Sequence, residues 1–203
     1  IIVTLPVTVA LVLWRIPEPP PVAGERIPWQ RGLRMIARNG PLKRVLLMLL
    51  IVITGEAFRN SLSVFFMKHV IEIPEQIGLM YLLYFGTGIL AIPFWLALGR
   101  RIGKHRAFSV AMIAVSVGTF SMVFLGPGDL LAFAIMFTFK GFCFGALQFL
   151  PLAMIADIVD IDTARGGEQR TGLFFATAGM VQKASMALGV GLSLNLLELA
   201  GFQ

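Results

Sequence analysis

The chain has 203 residues, of which 57% are apolar and only 14% are charged, whereas soluble domains contain roughly 45–50% and about 25%. A water-soluble fold of this length could not bury so much apolar surface, so the composition predicts a membrane protein. The net charge of +6 does not indicate a nucleic-acid partner, because the basic residues form short clusters between hydrophobic runs instead of one polar face. The single cysteine, Cys143, excludes an intrachain disulfide framework.

The chain begins with an apolar run, residues 1–14, that is shorter than the roughly 20 residues needed for a helical span. No basic residues precede it, as they would in a signal peptide, so we interpret it as the end of a transmembrane helix. Residues 15–44 form a polar linker. A proline-rich stretch in this linker favours extended backbone, and residues 27–39 predict a short basic amphipathic helix.

Five longer hydrophobic runs follow, each about long enough to cross a hydrocarbon core near 30 Å thick as a helix. Because the runs are continuously apolar, they favour helices over barrel strands, which alternate and are only about ten residues long. The sequence therefore predicts an all-α, polytopic transmembrane bundle over residues 45–203, and an even number of spans would need one more helix beyond it. The five complete spans are predicted at residues 45–67, 77–98, 107–125, 130–156 and 172–197.

The distribution of Lys and Arg predicts the orientation, because basic loops stay on the cytoplasmic side. The linker at 15–44 and the loop at 99–106 are rich in basic residues, so we place both in the cytoplasm. The loops at 68–75 and 126–129 are poor in basic residues and are placed outside, which puts the loop at 157–170 inside again. The pattern predicts a multi-pass protein of the plasma membrane.

Four ionisable residues fall inside the predicted spans, where a charge costs at least roughly 2.5–3.5 kcal/mol on insertion scales. At about 1.5 Å per residue, Glu56, Arg59, Lys140 and Lys183 lie roughly 15–22 Å deep. We expect these charges to face a polar cavity or one another. Glu56 and Arg59, at i and i+3, either neutralise each other or contact substrate. Lys140 either snorkels or has a functional role, whereas Lys183 lies too deep to snorkel easily and favours a functional role.

Several kinds of chemistry are missing from the sequence. It contains no Gly-rich loop of the type that holds nucleotide phosphates, no Ser/His/Asp or Cys/His nucleophile set, and no cluster with metal-ligand spacing. We therefore expect neither an enzyme nor an ATP-driven pump, and neither a cofactor nor a metal site. Movement of a solute would depend on an ion gradient or on the solute's own gradient.

Residues 148–183 resemble the glycoside–pentoside–hexuronide:cation symporters, the melibiose-permease-like branch of the major facilitator superfamily. The family pattern is approximately Q-x-L-P-x-A-M-[IL]-x-D-[IV]-[IV]-D-Y-D-E-x-K-T-G-x-R-R-E-G-x-[FY]-[FY]-A, followed shortly by Q-K. The chain departs from it at Ile161, Thr163, Ala164, Gln169 and Thr171. The matching positions are Gln148, Leu150, Pro151, Ala153, Met154, Asp157, Ile158, Val159, Asp160, Asp162, Gly167, Arg170, Gly172, Phe174, Phe175, Ala176, Gln182 and Lys183.

The resemblance covers nearly the whole chain, but only the C-terminal half of such a transporter. It implies that residues 15–44 link this bundle to an N-terminal six-helix bundle, and that the two bundles rock about a site near the midplane. The N-terminal bundle would hold most of the site for the coupling cation, Na⁺ or H⁺. The bacterial inner membrane is the location that the family implies.

The family pattern also implies roles for individual residues. Lys183 would lie close to substrate and coupling cation, where its ammonium can donate hydrogen bonds to sugar hydroxyls, and Gln182 and Gln148 would lie on the same solute path. Gln148 stands where melibiose-type members carry Trp, which favours pentoside- and glucuronide-like members. A cytoplasmic gate of ion pairs between the bundles is implied, with solvated loop charge or helix capping as the alternative. The gate residues would be Asp157, Asp160, Asp162 and Arg170.

The leading hypothesis is therefore cation-coupled symport of a sugar, glycoside or related small polar solute by alternating access. One alternative is a lysolipid or amphiphile transporter of the same fold, which predicts an apolar cleft with Lys183 holding a phosphate. The other is a non-transporting membrane scaffold or sensor, in which the intramembrane charges only lock helices together.

Overall fold

The computed structural model describes residues 4–15, 29–166 and 171–201. Apart from two short 3-10 turns, Pro74–Gln76 and Met122–Phe124, all regular structure in these residues is α-helical, which confirms the predicted all-α class. The helices are α1 (Thr4–Arg15), α2 (Trp29–Arg38), α3 (Gly40–His69), α4 (Ile77–Leu90), α5 (Ile92–Ile102), α6 (Lys104–Ser121), α7 (Leu130–Gly166) and α8 (Thr171–Leu199).

The chain divides into two compact units, Ile1–Leu33 and Arg34–Gln203. The first unit contains α1, so residues 4–14 of the opening apolar run are helical, and their assignment to the end of a membrane span stays a prediction. The short helix predicted over 27–39 occurs as α2. Asn39 then begins α3 by accepting a hydrogen bond from the Leu42 amide at 3.0 Å, which satisfies one of the free N–H groups of the first turn. The linker and bundle boundaries at residues 15, 44 and 45 stay predictions.

The second unit holds the five long apolar segments. Within the described residues, four helices are long and apolar enough to cross a membrane, or five when α4 and α5 are counted as one bent span. The span predicted over 77–98 corresponds to the pair α4 and α5, which meet at Ala91 with a bend of 42°. Pro93 lies in the first turn of α5 and lacks the N–H that would continue the helical hydrogen bonds.

Residues 157–166, which were predicted as part of a loop, belong instead to α7, which continues to Gly166; the cytoplasmic location of this segment stays a prediction. No Gly or Pro interrupts residues 157–165, and the helix still has an apolar face there. Ile155 and Val159 are buried against Leu42 of α3 and Phe174 of α8. The acidic residues therefore project from a helix that extends past the apolar part of the span. Residues 167–170 lie outside the described residues.

Glycines allow the closest helix contacts. A Cβ at Gly141 of α7 would collide with the Tyr84 carbonyl oxygen of α4, and one at Gly145 would lie 2.5 Å from the Gly88 carbonyl oxygen. On α8, a Cβ at Gly189 would collide with the Thr54 carbonyl oxygen of α3. Small residues let membrane helices approach in this way. The result is two tight pairs, α4 on α7 and α8 on α3, with α6 packed on α7.

Candidate functional site

An open cleft of about 690 Å³ lies between α3, α6 and α7. It brings together three of the four ionisable residues expected inside the spans: Glu56 and Arg59 from α3 and Lys140 from α7. Most of the lining is apolar, and hydroxyl groups come from Ser63 on α3 and from Ser116 and Thr119 on α6. A volume of this size is typical of small-molecule sites, which are mostly apolar with a few placed polar groups.

Glu56 and Arg59 form an ion pair within one turn of α3. The Arg59 Nη2 donates to Glu56 Oε2 at 2.6 Å and Nε donates to Oε1 at 3.4 Å. The side chains are only 13% and 15% exposed, so the pair lies largely out of solvent. The two side chains are therefore close enough to neutralise each other, which is one of the two roles that the i, i+3 spacing suggested. Both residues also line the cleft.

Arg59 also connects α3 to α4. Its Nη2 donates to the Tyr84 hydroxyl at 3.0 Å and to Asn60 Oδ1 at 2.9 Å, and its guanidinium carbon lies 5.6 Å from the centroid of the Tyr84 ring. The Nη1 atom is buried and has no hydrogen-bond partner among the described residues. Sequence reasoning missed Tyr84, whose only signal is a phenol within an apolar span.

Lys140 is buried, with 2% of its surface exposed. Its ammonium therefore does not reach a surface of the described bundle, although the snorkelling alternative required it to do so. Its stem passes Gly118 of α6, where a Cβ would lie 3.4 Å from Lys140 Cγ. The ammonium contacts the Met122 sulfur at 3.7 Å. Among the described residues no carboxylate lies within ion-pair distance of Lys140.

Lys183 and Gln182 lie elsewhere, on the exposed side of α8. The face of α8 that packs on α3 contains Ser185 and Gly189, and at about 100° per residue a side chain two positions before Ser185 points roughly the opposite way. Within the described bundle Lys183 therefore does not meet the other three deep charges, and the expectation that it faces a polar cavity stays a prediction. Gln148 on α7 is likewise exposed and does not line the cleft.

The acidic group at the predicted cytoplasmic end is partly paired within this bundle. Lys104 at the start of α6 donates to Asp157 Oδ1 of α7 at 2.6 Å and to the Ala153 carbonyl oxygen at 3.1 Å. The two charged side chains are 34% and 53% exposed. Sequence reasoning placed Lys104 only in a basic cluster and missed it as the partner of Asp157.

The other predicted gate residues differ in their surroundings. Asp160 is exposed on α7. Asp162 is half-buried and lines a second cavity of about 360 Å³ with Arg38, Asn39 and Arg165. Arg170 lies outside the described residues. Within the described ranges, no three His, Cys, Asp or Glu side chains are grouped to hold a metal ion.

Comparison with known proteins gives one family and several distant relatives. The profile of the family described as "MFS/sugar transport protein" matches residues 1–203. An uncharacterized symporter of Synechocystis sp. is 25% identical over 186 residues, which is 91% of this chain and 34% of the relative. A sodium-dependent lysophosphatidylcholine symporter of Danio rerio is 24% identical over 89% of this chain and 34% of its own length. An uncharacterized symporter of Bacillus subtilis is 20% identical over 84% of this chain and 38% of its own length.

This chain thus spans about a third of the length of the curated relatives it matches. No solved structure matches it significantly.

Proposed function

Because this chain belongs to the MFS/sugar transport protein family, we propose that the full-length protein is a secondary active transporter that couples solute movement to a cation gradient. The solute is a sugar, a glycoside or a related small polar molecule. The chain is a multi-pass membrane bundle of a transporter family, not an enzyme. The proposed location is the bacterial inner membrane.

The observation that carries this proposal is the cleft with Glu56, Arg59 and Lys140 on its wall. Ionisable groups inside membrane-spanning helices are expensive, and they mark solute or ion pathways by default. By residue count, Glu56 lies about 18 Å beyond Arg44 at the predicted cytoplasmic end of α3. A polar group at that depth supports a binding site near the bilayer midplane, which alternating access requires.

Lys183, Gln182 and Gln148 have a different role in this proposal. Their exposure on the described bundle leaves them available to solute and to an N-terminal six-helix bundle. The Lys183 ammonium would hydrogen-bond solute hydroxyls or pair with a carboxylate of that bundle. Glu56 is already paired with Arg59, which favours placing the coupling cation, Na⁺ or H⁺, mainly in the N-terminal bundle.

The acidic group on α7 fits a cytoplasmic gate. Asp157 and Lys104 are joined by an exposed ion pair, and exposed pairs contribute only about 0–1 kcal/mol. A pair this weak can exchange partners as the two bundles move. Asp160, Asp162 and Arg170 would supply further ion pairs in the closed cytoplasmic gate.

Uptake by the full-length protein in proteoliposomes tests the proposal. Radiolabelled pentosides and glucuronides are expected to enter faster under an inward Na⁺ or H⁺ gradient, and an ionophore should remove the stimulation. Lys183→Ala should lower the uptake rate at least about tenfold, as expected for loss of a charge-assisted hydrogen bond. Lys68→Ala, at an exposed lysine of α3, is the matched control. Unchanged uptake by Lys183→Ala would refute the assignment of Lys183 to the site.

A second candidate is transport of a lysolipid or another amphiphile, because most of the cleft lining is apolar. Here Lys140 and Arg59, instead of the predicted Lys183, would face the phosphate. Uptake of a labelled lysophospholipid, with no uptake of sugars, would favour this candidate. If neither class of solute enters under any gradient, the scaffold or sensor hypothesis replaces transport, with Arg59 and Tyr84 acting to lock α3 against α4.

A further inference from the structure

We propose that the cleft between α3, α6 and α7 binds an oxyanion, a phosphate or a carboxylate, through the Lys140 ammonium and the Nη1 group of Arg59. The inference deepens the proposed transport function by giving the solute an acidic group. It does not involve Lys183, which lies on the exposed side of α8.

The charge of the cleft is the first reason. In the part of the chain that the structure describes, the ionisable residues of the lining are Glu56, Arg59 and Lys140, so one carboxylate stands against two cations and their sum is +1. Glu56 is engaged by two nitrogen atoms of Arg59, at 2.6 and 3.4 Å, which leaves Lys140 without a carboxylate among the described residues. A buried cation is costly unless it is paired and hydrogen-bonded, so the site favours a ligand that brings a negative charge.

Unsatisfied hydrogen-bond donors are the second reason. Lys140 carries three donors, and its one polar contact among the described residues is the weakly accepting sulfur of Met122 at 3.7 Å. Arg59 uses Nη2 for three contacts, whereas Nη1 is buried without a partner among the described residues. The oxygen atoms of a phosphate or carboxylate can accept from both groups, and such charge-assisted hydrogen bonds are the strong ones.

The rest of the lining indicates how the remainder of the ligand is held. Ser116 and Thr119 of α6 add hydroxyls to the cleft, which can bond either the anion or a polar solute body. The volume of about 690 Å³ exceeds what a single phosphate group fills. A free acidic solute and the head group of an acidic amphiphile would accept hydrogen bonds from the same donors. Only the amphiphile would also contact the apolar part of the lining.

Titration calorimetry on the full-length protein in lipid nanodiscs tests the inference with three probes: inorganic phosphate, octyl phosphate and neutral octyl glucoside. Both phosphates should bind, and Lys140→Met should weaken both about 10- to 100-fold. Lys68→Met, which removes an exposed lysine of α3, should leave the affinities unchanged. Glu56→Gln should strengthen binding, because it removes the carboxylate that the described lining contains, and this rise in affinity keeps the test decisive if Lys140→Met does not fold.

Comparison of the two phosphate probes also distinguishes a free acidic solute from an acidic amphiphile. Equal affinities for the two phosphates would identify a free acidic solute, whereas a tenfold preference for octyl phosphate would identify an amphiphile. Absence of phosphate binding, or phosphate affinities that Lys140→Met and Glu56→Gln leave unchanged, would overturn the inference. Failure of this test leaves cation-driven uptake of neutral sugars open, and failure of uptake leaves anion binding open, so the two proposals fail separately.

Discussion

Replacement of Gly189 by alanine should weaken the contact between α3 and α8. The added Cβ would collide with the Thr54 carbonyl oxygen and would lie 2.7 Å from Ala57 Cβ and 2.9 Å from the Phe58 amide nitrogen. Optimal carbon–carbon contacts are about 3.5–4.0 Å, so the helices must separate by roughly 1 Å. None of these neighbours is the flexible end of a side chain, so no rotamer change can relieve the overlap.

The expected cost is about 1–3 kcal/mol, the usual penalty for overpacking. Gly191→Ala on the same helix is the matched control, because its Cβ would meet nothing within 4 Å. Both variants gain the same helix propensity, about 1 kcal/mol over glycine, so their difference isolates the packing term. Thermal unfolding of the full-length protein in detergent should give Gly189→Ala a Tm several degrees below that of Gly191→Ala. Equal Tm values would refute the close packing of α8 on α3.

Three further predictions concern the charged network. Tyr84→Phe removes the hydroxyl that accepts from Arg59 at 3.0 Å and should lower the free energy of unfolding by about 1.5–3 kcal/mol; an unchanged Tm would contradict this bond. Lys140→Met, measured without added anion, should be neutral or stabilising by up to about 4 kcal/mol, because an apolar side chain replaces a buried charge that has no carboxylate partner among the described residues. A marked loss of stability would show that Lys140 has such a partner. A double-mutant cycle on Lys104→Gln and Asp157→Asn should give a coupling free energy of about 0–1 kcal/mol, and several kcal/mol would mean that this pair is not an exchangeable surface contact.

The fold class was predictable because membrane helices leave a strong signal. The five apolar runs could be assigned from length alone, and each coincides with a helix or with the bent pair α4 and α5. The break at Ala91 was harder to predict, because a proline such as Pro93 is tolerated in many transmembrane helices. The end of α7 was misplaced for another reason. Charged residues show where the apolar part of a span ends, whereas the helix itself continues until its packing ends or a capping residue stops it.

The site was only partly predictable, because depth along a helix follows from residue count but direction around it does not. Counting placed Glu56, Arg59 and Lys140 at similar depth, and the structure groups them in one cleft. The same count gave Lys183 a similar depth, but the contact of α8 with α3 turns it to the exposed side. Tyr84 became visible only through the packing of α4 against α3 and α7, which no local pattern in the sequence contains.

The central claim, that the protein drives solute transport with a cation gradient, is tested most directly by solute accumulation in proteoliposomes of the full-length protein. We expect the internal concentration of the transported solute to rise above the external one under an inward Na⁺ or H⁺ gradient. The concentrations should equalise when an ionophore abolishes that gradient. Accumulation that never exceeds the external concentration under either gradient would contradict cation-coupled symport.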